Sequence, residues 1–166
     1  MKRYVLLSGG VGGAKLALGL SHVLHAEQLT IIANTGDDFR HLGLAISPDL
    51  DTLMYTLAGI VNEETGWGRR DESWNCLAGL DALGGDTWFR LGDRDLATHL
   101  ERTRLLAEGL TLTAVTRHLC TRLGVTADLL PMSDASIRTV VDTDAGTLDF
   151  QDYCTAPRRA SDSRAP

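Results

Sequence analysis

The stretch Leu6–Lys15 reads LLSGGVGGAK and places four glycines between an apolar run and a lysine. An apolar run that turns on glycine and continues with helical spacing is typical of a strand–turn–helix unit. The leucines that follow predict a helix over Ala14 to Leu24, and the apolar run from Leu29 to Ala33 predicts a second strand. Strand, helix and strand in this order form a βαβ unit, which implies a parallel sheet.

The glycine turn predicts a phosphate site, although it matches neither common nucleotide-binding fingerprint. The Rossmann pattern, begun at Gly10, needs a glycine at Lys15, and the Walker pattern needs Ser or Thr at Leu16. Unpaired N–H groups at the start of a helix nevertheless attract anions, and Lys15 adds a positive charge. The alternative is a tight turn that binds nothing. The candidate nucleotide-binding residues are Gly9, Gly10, Gly12, Gly13, Lys15 and, at the end of the second strand, Asn34.

Composition excludes several classes of partner. The 166-residue chain has a formal net charge of −6 and a sequence pI of about 5.2, and no basic block interrupts it. Because binding to nucleic acid needs a cationic surface, we expect no nucleic-acid partner. No apolar run approaches the length of a membrane span, and the three cysteines have neither metal-site nor disulfide spacing. We therefore expect a cytoplasmic protein that does not interact with membranes.

The remaining sequence predicts helices and strands up to Tyr153. Ser47 and Pro48 form a helix start, with Ser as the N-cap and Pro in the first turn, and this helix runs towards Ile60. The other predicted elements are helices over Asp71 to Leu83 and Asp95 to Glu108, a helix capped by Thr111, and strands over Ala127 to Leu130, Arg138 to Asp142 and Thr147 to Gln151. Residues 1–153 are thus predicted to form one domain, and residues 154–166 a disordered or aberrant tail.

Two acidic clusters follow the glycine turn. The run Asn34–Asp38 (NTGDD) comes after the second strand, where open parallel sheets bind ligands, and acids there hold ribose hydroxyls or a metal. Asp49 and Asp51 lie in the first turn of the next helix, and carboxylates beside phosphate suggest Mg²⁺. Because residues two apart on a helix diverge, only one of them is expected to face the cleft. The alternative for Asn34–Asp38 is a turn-forming loop that binds nothing. The alternative for Asp49 and Asp51 is that the helix dipole favours acids in the first turn of a helix.

A third cluster, Trp88–Asp95, reads WFRLGDRD and contains two arginines, two acids and a tryptophan around one glycine. Arginine pairs with phosphate or carboxylate, and the indole offers a stacking face. The run Pro131–Asp134 (PMSD) closes a predicted strand and is expected to line the same cleft. For Trp88–Asp95 the alternative is a helix start capped by Asp93, with exposed ion pairs that contribute little to stability and with His99 in a structural role. For Pro131–Asp134 the alternative is a simple turn.

Taken together, the motifs resemble one known family. LSGGVGGAK, NTGDDF, SPDLDT, RLGDRDLATH, LPMSD and FQDY, in this order, are similar to the 2-phospho-L-lactate transferase family, which makes the deazaflavin coenzyme F(420). The resemblance implies a Rossmann-like α/β fold and a Mg²⁺-dependent transfer. A phospholactyl or phosphoenolpyruvyl group would pass from a guanosine diphosphate adduct to the ribityl hydroxyl of the deazaflavin Fo, and GMP would leave.

The resemblance also implies roles for individual residues. Asp51 and Arg90 match positions that contact Fo, and they are the candidate catalytic residues. Asp49 and Asp51 are the metal candidates, and Asp51 is the preferred one. The candidate substrate-binding residues are Asp51, Trp88, Arg90, Asp93, Asp95, Ser133 and Asp134.

The resemblance ends at Tyr153, whereas members of the family extend well beyond it. The expected fold is therefore a truncated Rossmann-like parallel sheet with flanking helices, and the fragment is expected to be inactive. Core surface left uncovered would favour self-association, including a homodimer. Two rival hypotheses stay open: a nucleotide-sugar-binding regulator of related fold without catalysis, and a fragment with no ligand affinity. The run RLGDRDLATH favours the transferase over the regulator.

Overall fold

The computed structural model describes residues 2–144 and 146–155, and its architecture is α/β. In chain order the strands are β1 (Tyr4–Ser8), β2 (Leu29–Ala33), β3 (Phe39–His41), β4 (Leu44–Ile46), β5 (Asp128–Pro131), β6 (Val140–Thr143) and β7 (Gly146–Asp149). The helices are α1 (Gly10–Val23), α2 (Pro48–Leu57), α3 (Asn75–Ala82), α4 (Asp93–Ala107), α5 (Leu112–Arg122) and α6 (Phe150–Thr155). A parallel sheet with the strand order β1–β2–β5 is flanked by helices, which confirms the expected fold class.

The register of the parallel sheet brings three loops to one edge. Ser8 at the end of β1 lies opposite Ala33 at the end of β2, which in turn lies opposite Pro131 of β5. The segments that leave this edge are the glycine turn, the run that begins at Asn34, and the run that begins at Met132. Ligands of open parallel sheets bind at this carboxyl edge, so the fold places the glycine turn and the run Asn34–Asp38 where a ligand is expected.

The core lies between one face of the sheet and helices α1, α2, α4 and α5. α1 contributes the small residues Ala14 and Ala17, both fully buried, which let α2 approach closely. α2 buries an almost continuous run that includes Leu53 and Met54, and β2 contributes Ile31. This packing fixes the first turn of α2 beside the carboxyl edge of the sheet.

The opposite face of the sheet is exposed at its edge strand β1 and half-covered at β2 among the described residues. Val5 is 64% exposed and Leu7 is 76% exposed, whereas Leu6 between them packs against the core. Alternation along β1 therefore gives one buried face and one apolar face in water. Parallel sheets are normally covered on both faces, so this surface is unusual for an isolated domain.

Several predicted elements differ in their bounds. α1 begins at Gly10 rather than at Ala14, because the glycines form the first turn of the helix instead of a loop before it. The helix predicted over Asp71 to Leu83 begins only at Asn75. The hairpin of β3 and β4 was not predicted, since three residues a strand are too few to display an alternating pattern.

The end of the described chain contains a short helix. β7 ends at Asp149, and α6 occupies the rest of the strand that was predicted to reach Gln151. The predicted domain boundary at Tyr153 falls within α6, and residues 156–166 of the predicted tail lie outside the described residues. Over residues 2–144 and 146–155, no helix has both the length and the apolar character needed to cross a membrane.

Candidate functional site

The glycine turn is tied to Asp49 in the first turn of α2. The Gly10 N–H donates to Asp49 Oδ1 at 2.7 Å, and the Asn34 side-chain amide donates to Oδ2 at 2.9 Å. Asn34 Oδ1 accepts from the Gly36 N–H at 3.0 Å. One carboxylate therefore joins the ends of β1 and β2 to α2, and it occupies one of the amides that a bound anion would otherwise use.

Two glycines of the turn are required for steric reasons, and one leaves open space. Gly10 has a φ of +61°, which disfavours other residues, and a Cβ at Gly13 would overlap the Ser8 hydroxyl. A Cβ at Gly12, in contrast, would meet nothing within 4 Å. Lys15 is exposed and forms no ion pair with any residue that the structure describes. Gly12 and Lys15 therefore border space that a ligand can occupy.

Asp51 lies in a buried ion pair with Arg102 of α4. The Arg102 guanidinium donates through Nη2 to Asp51 Oδ1 and through Nη1 to Oδ2, the latter at 3.0 Å. Asp51 is 6% exposed and Arg102 is 2% exposed. Burial opposes the charge on Arg102, but Asp51 outweighs it and raises the pKa of the guanidinium, so the pair is ionised. Asp49 and Asp51 therefore face different neighbours, as their helical spacing predicted.

Three side chains extend this ion pair towards the start of α4. Arg102 Nη1 lies 3.1 Å from His99 Nδ1, and His99 Nε2 lies 3.3 Å from Asp95 Oδ1. The Tyr55 hydroxyl donates to the same Asp95 oxygen at 2.6 Å. Asp95, His99 and Arg102 share one face of α4, and Asp51 and Tyr55 share one face of α2, so the network joins two helices.

Two cavities adjoin this network. The smaller, of about 230 Å³, is lined by residues that include Asp51, Tyr55, Asp95 and His99. The larger, of about 480 Å³, is lined by residues that include Trp67, Arg69, Trp74, Arg90 and Asp95. Trp67, Gly68 and Asp95 line both cavities, so we treat the two cavities as one cleft, defined by these two sets of residues. We call it the acceptor cleft, after the molecule that would accept the transferred group in the reaction that the resemblance implies.

The acceptor cleft lies next to the glycine turn. A Cβ built on Gly66 would come within 2.6 Å of Val11 Cγ1, so the loop that carries Trp67 packs against the first turn of α1. The first residues of α2 serve both places, since Asp49 holds the glycine turn while Pro48 and Asp51 line the smaller cavity. A ligand bound at the turn can therefore approach one bound in the cleft.

Arginines and aromatic rings stack in the acceptor cleft. The Arg90 guanidinium lies 4.6 Å from the centre of the Trp74 ring, and the Arg69 guanidinium lies 5.6 Å from the centre of the Tyr55 ring. Arg69 Nε is buried and without a hydrogen-bond partner among the described residues. Flat rings and unsatisfied donors in one cleft suit a planar ligand that carries acceptor groups.

The other sequence candidates lie outside the acceptor cleft. Trp88 packs in an aromatic cluster with Phe39, His41 and Phe89. Asp134 accepts from the Thr113 N–H at 2.7 Å and so caps α5, while the Ser133 hydroxyl accepts from the Ala135 N–H at 3.0 Å. Asp134 also lines a separate cavity of about 160 Å³ beside Thr35 and Asp38. The structure therefore brings together Asp51, Arg90 and Asp95 but not the remaining candidates.

Asp93, the first residue of α4, caps the start of α3, and Glu72, which precedes α3, caps the start of α4. The Asp93 carboxylate accepts from the Ser73 hydroxyl at 2.7 Å and from the Asn75 and Cys76 N–H groups at the start of α3, each at 3.0 Å. The Ser73 hydrogen bond is the main cause that holds the pKa of Asp93 well below its usual range. Glu72 accepts from the Arg94 and Asp95 N–H groups at the start of α4, each at 2.8 Å. We call this pair the reciprocal caps, and they fix one wall of the acceptor cleft.

The two metal candidates differ in how well they fit Mg²⁺. No cluster of three or more His, Cys, Asp or Glu able to hold a metal occurs within residues 2–144 and 146–155. Mg²⁺ usually takes one or two carboxylates and completes its shell with substrate phosphates and water. Asp49, beside the glycine turn, fits that pattern. Asp51 fits it poorly, because both of its oxygens already accept from a guanidinium.

Asp38 gives the site a pH-dependent stability. Burial raises the pKa of Asp38 to about 7, although the Ser47 hydroxyl donates to Oδ2 at 2.7 Å, and Oδ1 has no partner among the described residues. The folded chain thus keeps a proton that the unfolded chain loses above a pKa of 3.8, so the free energy of unfolding falls as the pH rises from about 4 to 7.

Replacing Asp38 with asparagine is therefore expected to raise the free energy of unfolding by about 2 kcal/mol at pH 8. The gain should shrink steadily below pH 7 and vanish near pH 4. Urea unfolding across this range measures it, with Asp81→Asn on the exposed surface of α3 as the matched control. A gain that is the same at pH 5 and pH 8 would contradict this assignment.

Sequence reasoning missed several residues of the site. Arg102, Tyr55, Trp67 and Trp74 were not singled out, and His99 was weighed mainly as a structural residue. A signal was present, because Asp95, His99 and Arg102 recur with helical spacing on one face of α4. Glu72 gave no such signal, since its role depends on a helix that begins far from it along the chain.

Comparison with known proteins gives consistent results. A family profile described as "2-phospho-L-lactate transferase CofD" matches residues 4–163, which extends past Tyr153. A phosphoenolpyruvate transferase of Streptomyces griseus is 46% identical over 98% of this chain and 53% of its own length. Phosphoenolpyruvate transferases of Streptomyces avermitilis and Thermobifida fusca are 48% and 47% identical, each over 91% of this chain. The chain spans about half the length of the curated relatives it matches.

Proposed function

The chain belongs to the 2-phospho-L-lactate transferase CofD family, and on that premise we propose that it binds and aligns the substrates of a group transfer in coenzyme F(420) biosynthesis. The acceptor is the deazaflavin Fo, and the donor is a guanosine diphosphate adduct. The transferred group is phosphoenolpyruvyl rather than phospholactyl, because the relatives quoted above are named phosphoenolpyruvate transferases. GMP is the leaving group.

One observation supports this proposal most strongly. The acceptor cleft places two indoles and two guanidinium groups around about 480 Å³, directly beside the glycine turn. Trp67 and Trp74 suit the planar deazaflavin ring, and Arg69 and Arg90 suit its carbonyl acceptors. The glycine turn suits the diphosphate of the donor. Donor and acceptor would then be neighbours, and alignment of this kind accounts for much of the rate in phosphoryl transfer.

Mg²⁺ is part of the proposal, with Asp49 as its protein ligand. Asp49 lies at the glycine turn and has lone pairs in addition to those that accept from Gly10 and Asn34. When bound, the ion would offset negative charge on the phosphates. Asp51 instead keeps Arg102 and the surrounding side chains in place.

Removal of the Arg90 guanidinium tests the acceptor cleft. We expect Fo to quench the tryptophan fluorescence of the wild-type chain. Arg90→Ala should weaken Fo binding about tenfold, because one charged hydrogen bond to Fo is lost and Trp74 loses the guanidinium that packs on its ring. Arg94→Ala, an exposed neighbour outside the cleft, is the matched control and should bind Fo like the wild type. Equal affinities of the Arg90 variant and the wild type would refute the assignment of Fo to this cleft.

Two further expectations remain proposals. A homodimer would cover the apolar face of the sheet that carries Val5 and Leu7. A cytoplasmic location fits the three cysteines, Cys76, Cys120 and Cys154, which are all free.

A further inference from the structure

The two aspartates of the acceptor cleft, Asp51 and Asp95, differ in how many of their oxygens can accept a further hydrogen bond. Asp51 uses both oxygens to accept from Arg102, whose guanidinium keeps its positive charge. A carboxylate held in this way is a poor acceptor for a further hydroxyl, because its negative charge is already offset. Asp51 therefore suits a role in fixing the cleft rather than in binding the reacting group.

Asp95 has one oxygen available. Its Oδ1 accepts from the Tyr55 hydroxyl at 2.6 Å and lies 3.3 Å from His99 Nε2. Within residues 2–144 and 146–155, no side chain or amide donates to Oδ2. Asp95 lines both cavities of the acceptor cleft, at the point where they meet. A hydroxyl at this junction would find an acceptor whose other oxygen is already fixed.

The protonation of His99 follows from its neighbours. Arg102 can only donate, and its Nη1 lies 3.1 Å from His99 Nδ1, so Nδ1 carries the lone pair and Nε2 carries the proton. His99 Nε2 lies 3.3 Å from Asp95 Oδ1, close enough for electrostatic attraction but not aligned as a hydrogen bond. Burial alone would raise the pKa of Asp95, but His99, followed by Tyr55, lowers it below its usual value. Asp95 is thus ionised, and the Tyr55 hydroxyl holds its Oδ1 in place.

We infer that Asp95 is the residue that binds the attacking hydroxyl of the acceptor, with Tyr55 and His99 as positioning residues. This inference rests on the proposed function. In the transfer, the hydroxyl oxygen forms a bond to phosphorus, and the phosphorus–oxygen bond to GMP breaks with its electron pair on GMP. The hydroxyl proton passes to Asp95 Oδ2 and then to solvent. An aspartate that accepts the hydroxyl proton of the acceptor is a recurring part of phosphoryl-transfer sites.

Two ligands distinguish binding of the ribityl hydroxyl from binding of the deazaflavin ring. Fo carries the ribityl chain, and a deazaflavin with a methyl group in its place carries the ring alone. We expect Asp95→Asn to weaken Fo binding about tenfold, because a hydrogen bond to a charged acceptor is lost, and to leave binding of the methyl compound unchanged. Tyr55→Phe should show the same selectivity with a smaller loss. Glu101→Gln, on an exposed part of α4, is the matched control.

The outcomes distinguish this inference from the proposed function. If the wild-type chain binds neither compound, the proposed function fails and this inference fails with it. If the wild-type chain binds both compounds and Asp95→Asn binds Fo with unchanged affinity, only the role of Asp95 is refuted. A variant that loses both compounds equally would also refute it, because that pattern indicates a damaged cleft rather than a lost hydroxyl contact.

Discussion

Replacing Arg102 with leucine is expected to lower the free energy of unfolding by about 3–5 kcal/mol, because it leaves the Asp51 carboxylate buried without a countercharge. Both groups are almost fully removed from water, so solvent cannot replace the lost partner. The leucine also lacks the donors that reach His99 and the Ala45 carbonyl. Urea unfolding of the purified variant measures the loss.

The control for this prediction is Arg104→Leu on the same helix. Arg104 pairs with Glu101 and Glu108 on the exposed side of α4, and pairs of that kind contribute about 0–1 kcal/mol. The double variant Arg102→Leu with Asp51→Leu should recover part of the loss, since no charge then remains in the core. Similar small losses for Arg102→Leu and Arg104→Leu would show that the buried pair contributes little to stability.

Gly12→Val is expected to weaken binding of guanosine diphosphate at least tenfold while the fold stays intact. A Cβ at Gly12 meets no other atom within 4 Å, so the valine is expected to project into the space that the diphosphate would fill. The expected loss is tenfold or more, which corresponds to about 1.4 kcal/mol for each factor of ten. Isothermal titration calorimetry with guanosine diphosphate measures binding, and circular dichroism checks the fold.

Gly19→Val provides a matched control on the same helix. Gly19 also lies in α1 and also leaves its Cβ position free of contacts, so it reproduces the effect of valine on the helix without approaching the turn. Gly19→Val should bind guanosine diphosphate like the wild type. Equal binding by the Gly12 and Gly19 variants would show that the turn does not hold the diphosphate.

The sequence made the central βαβ unit predictable because its signals are local. The glycine run, the leucine spacing of α1 and the apolar run of β2 each lie within a few residues. The N-cap of α5 is equally local, and the Thr111 hydroxyl does accept from the Ala114 N–H at 3.2 Å. Ser47 precedes α2 as predicted, but its hydroxyl donates to Asp38 instead of capping the helix.

The chemistry of the candidate site was harder to predict because it depends on distant pairs. Asp51 and Arg102 are 51 positions apart, and nothing in either neighbourhood indicates that they meet. The motif containing Asp49 and Asp51 suggested one metal ligand, with Asp51 preferred, whereas the structure gives the Asp49 carboxylate to the glycine turn and the Asp51 carboxylate to a guanidinium. Whether either binds Mg²⁺ stays a prediction. Helical spacing could predict the divergence of the two aspartates but not their partners.

The reciprocal caps couple the starts of α3 and α4 in one wall of the acceptor cleft. Glu72 precedes α3 yet holds the start of α4, and Asp93 begins α4 yet holds the start of α3. Fraying of either helix start therefore removes the carboxylate that stops the other from fraying. The starts of α3 and α4 are therefore expected to fray together, so the stability of this part of the wall depends on both carboxylates.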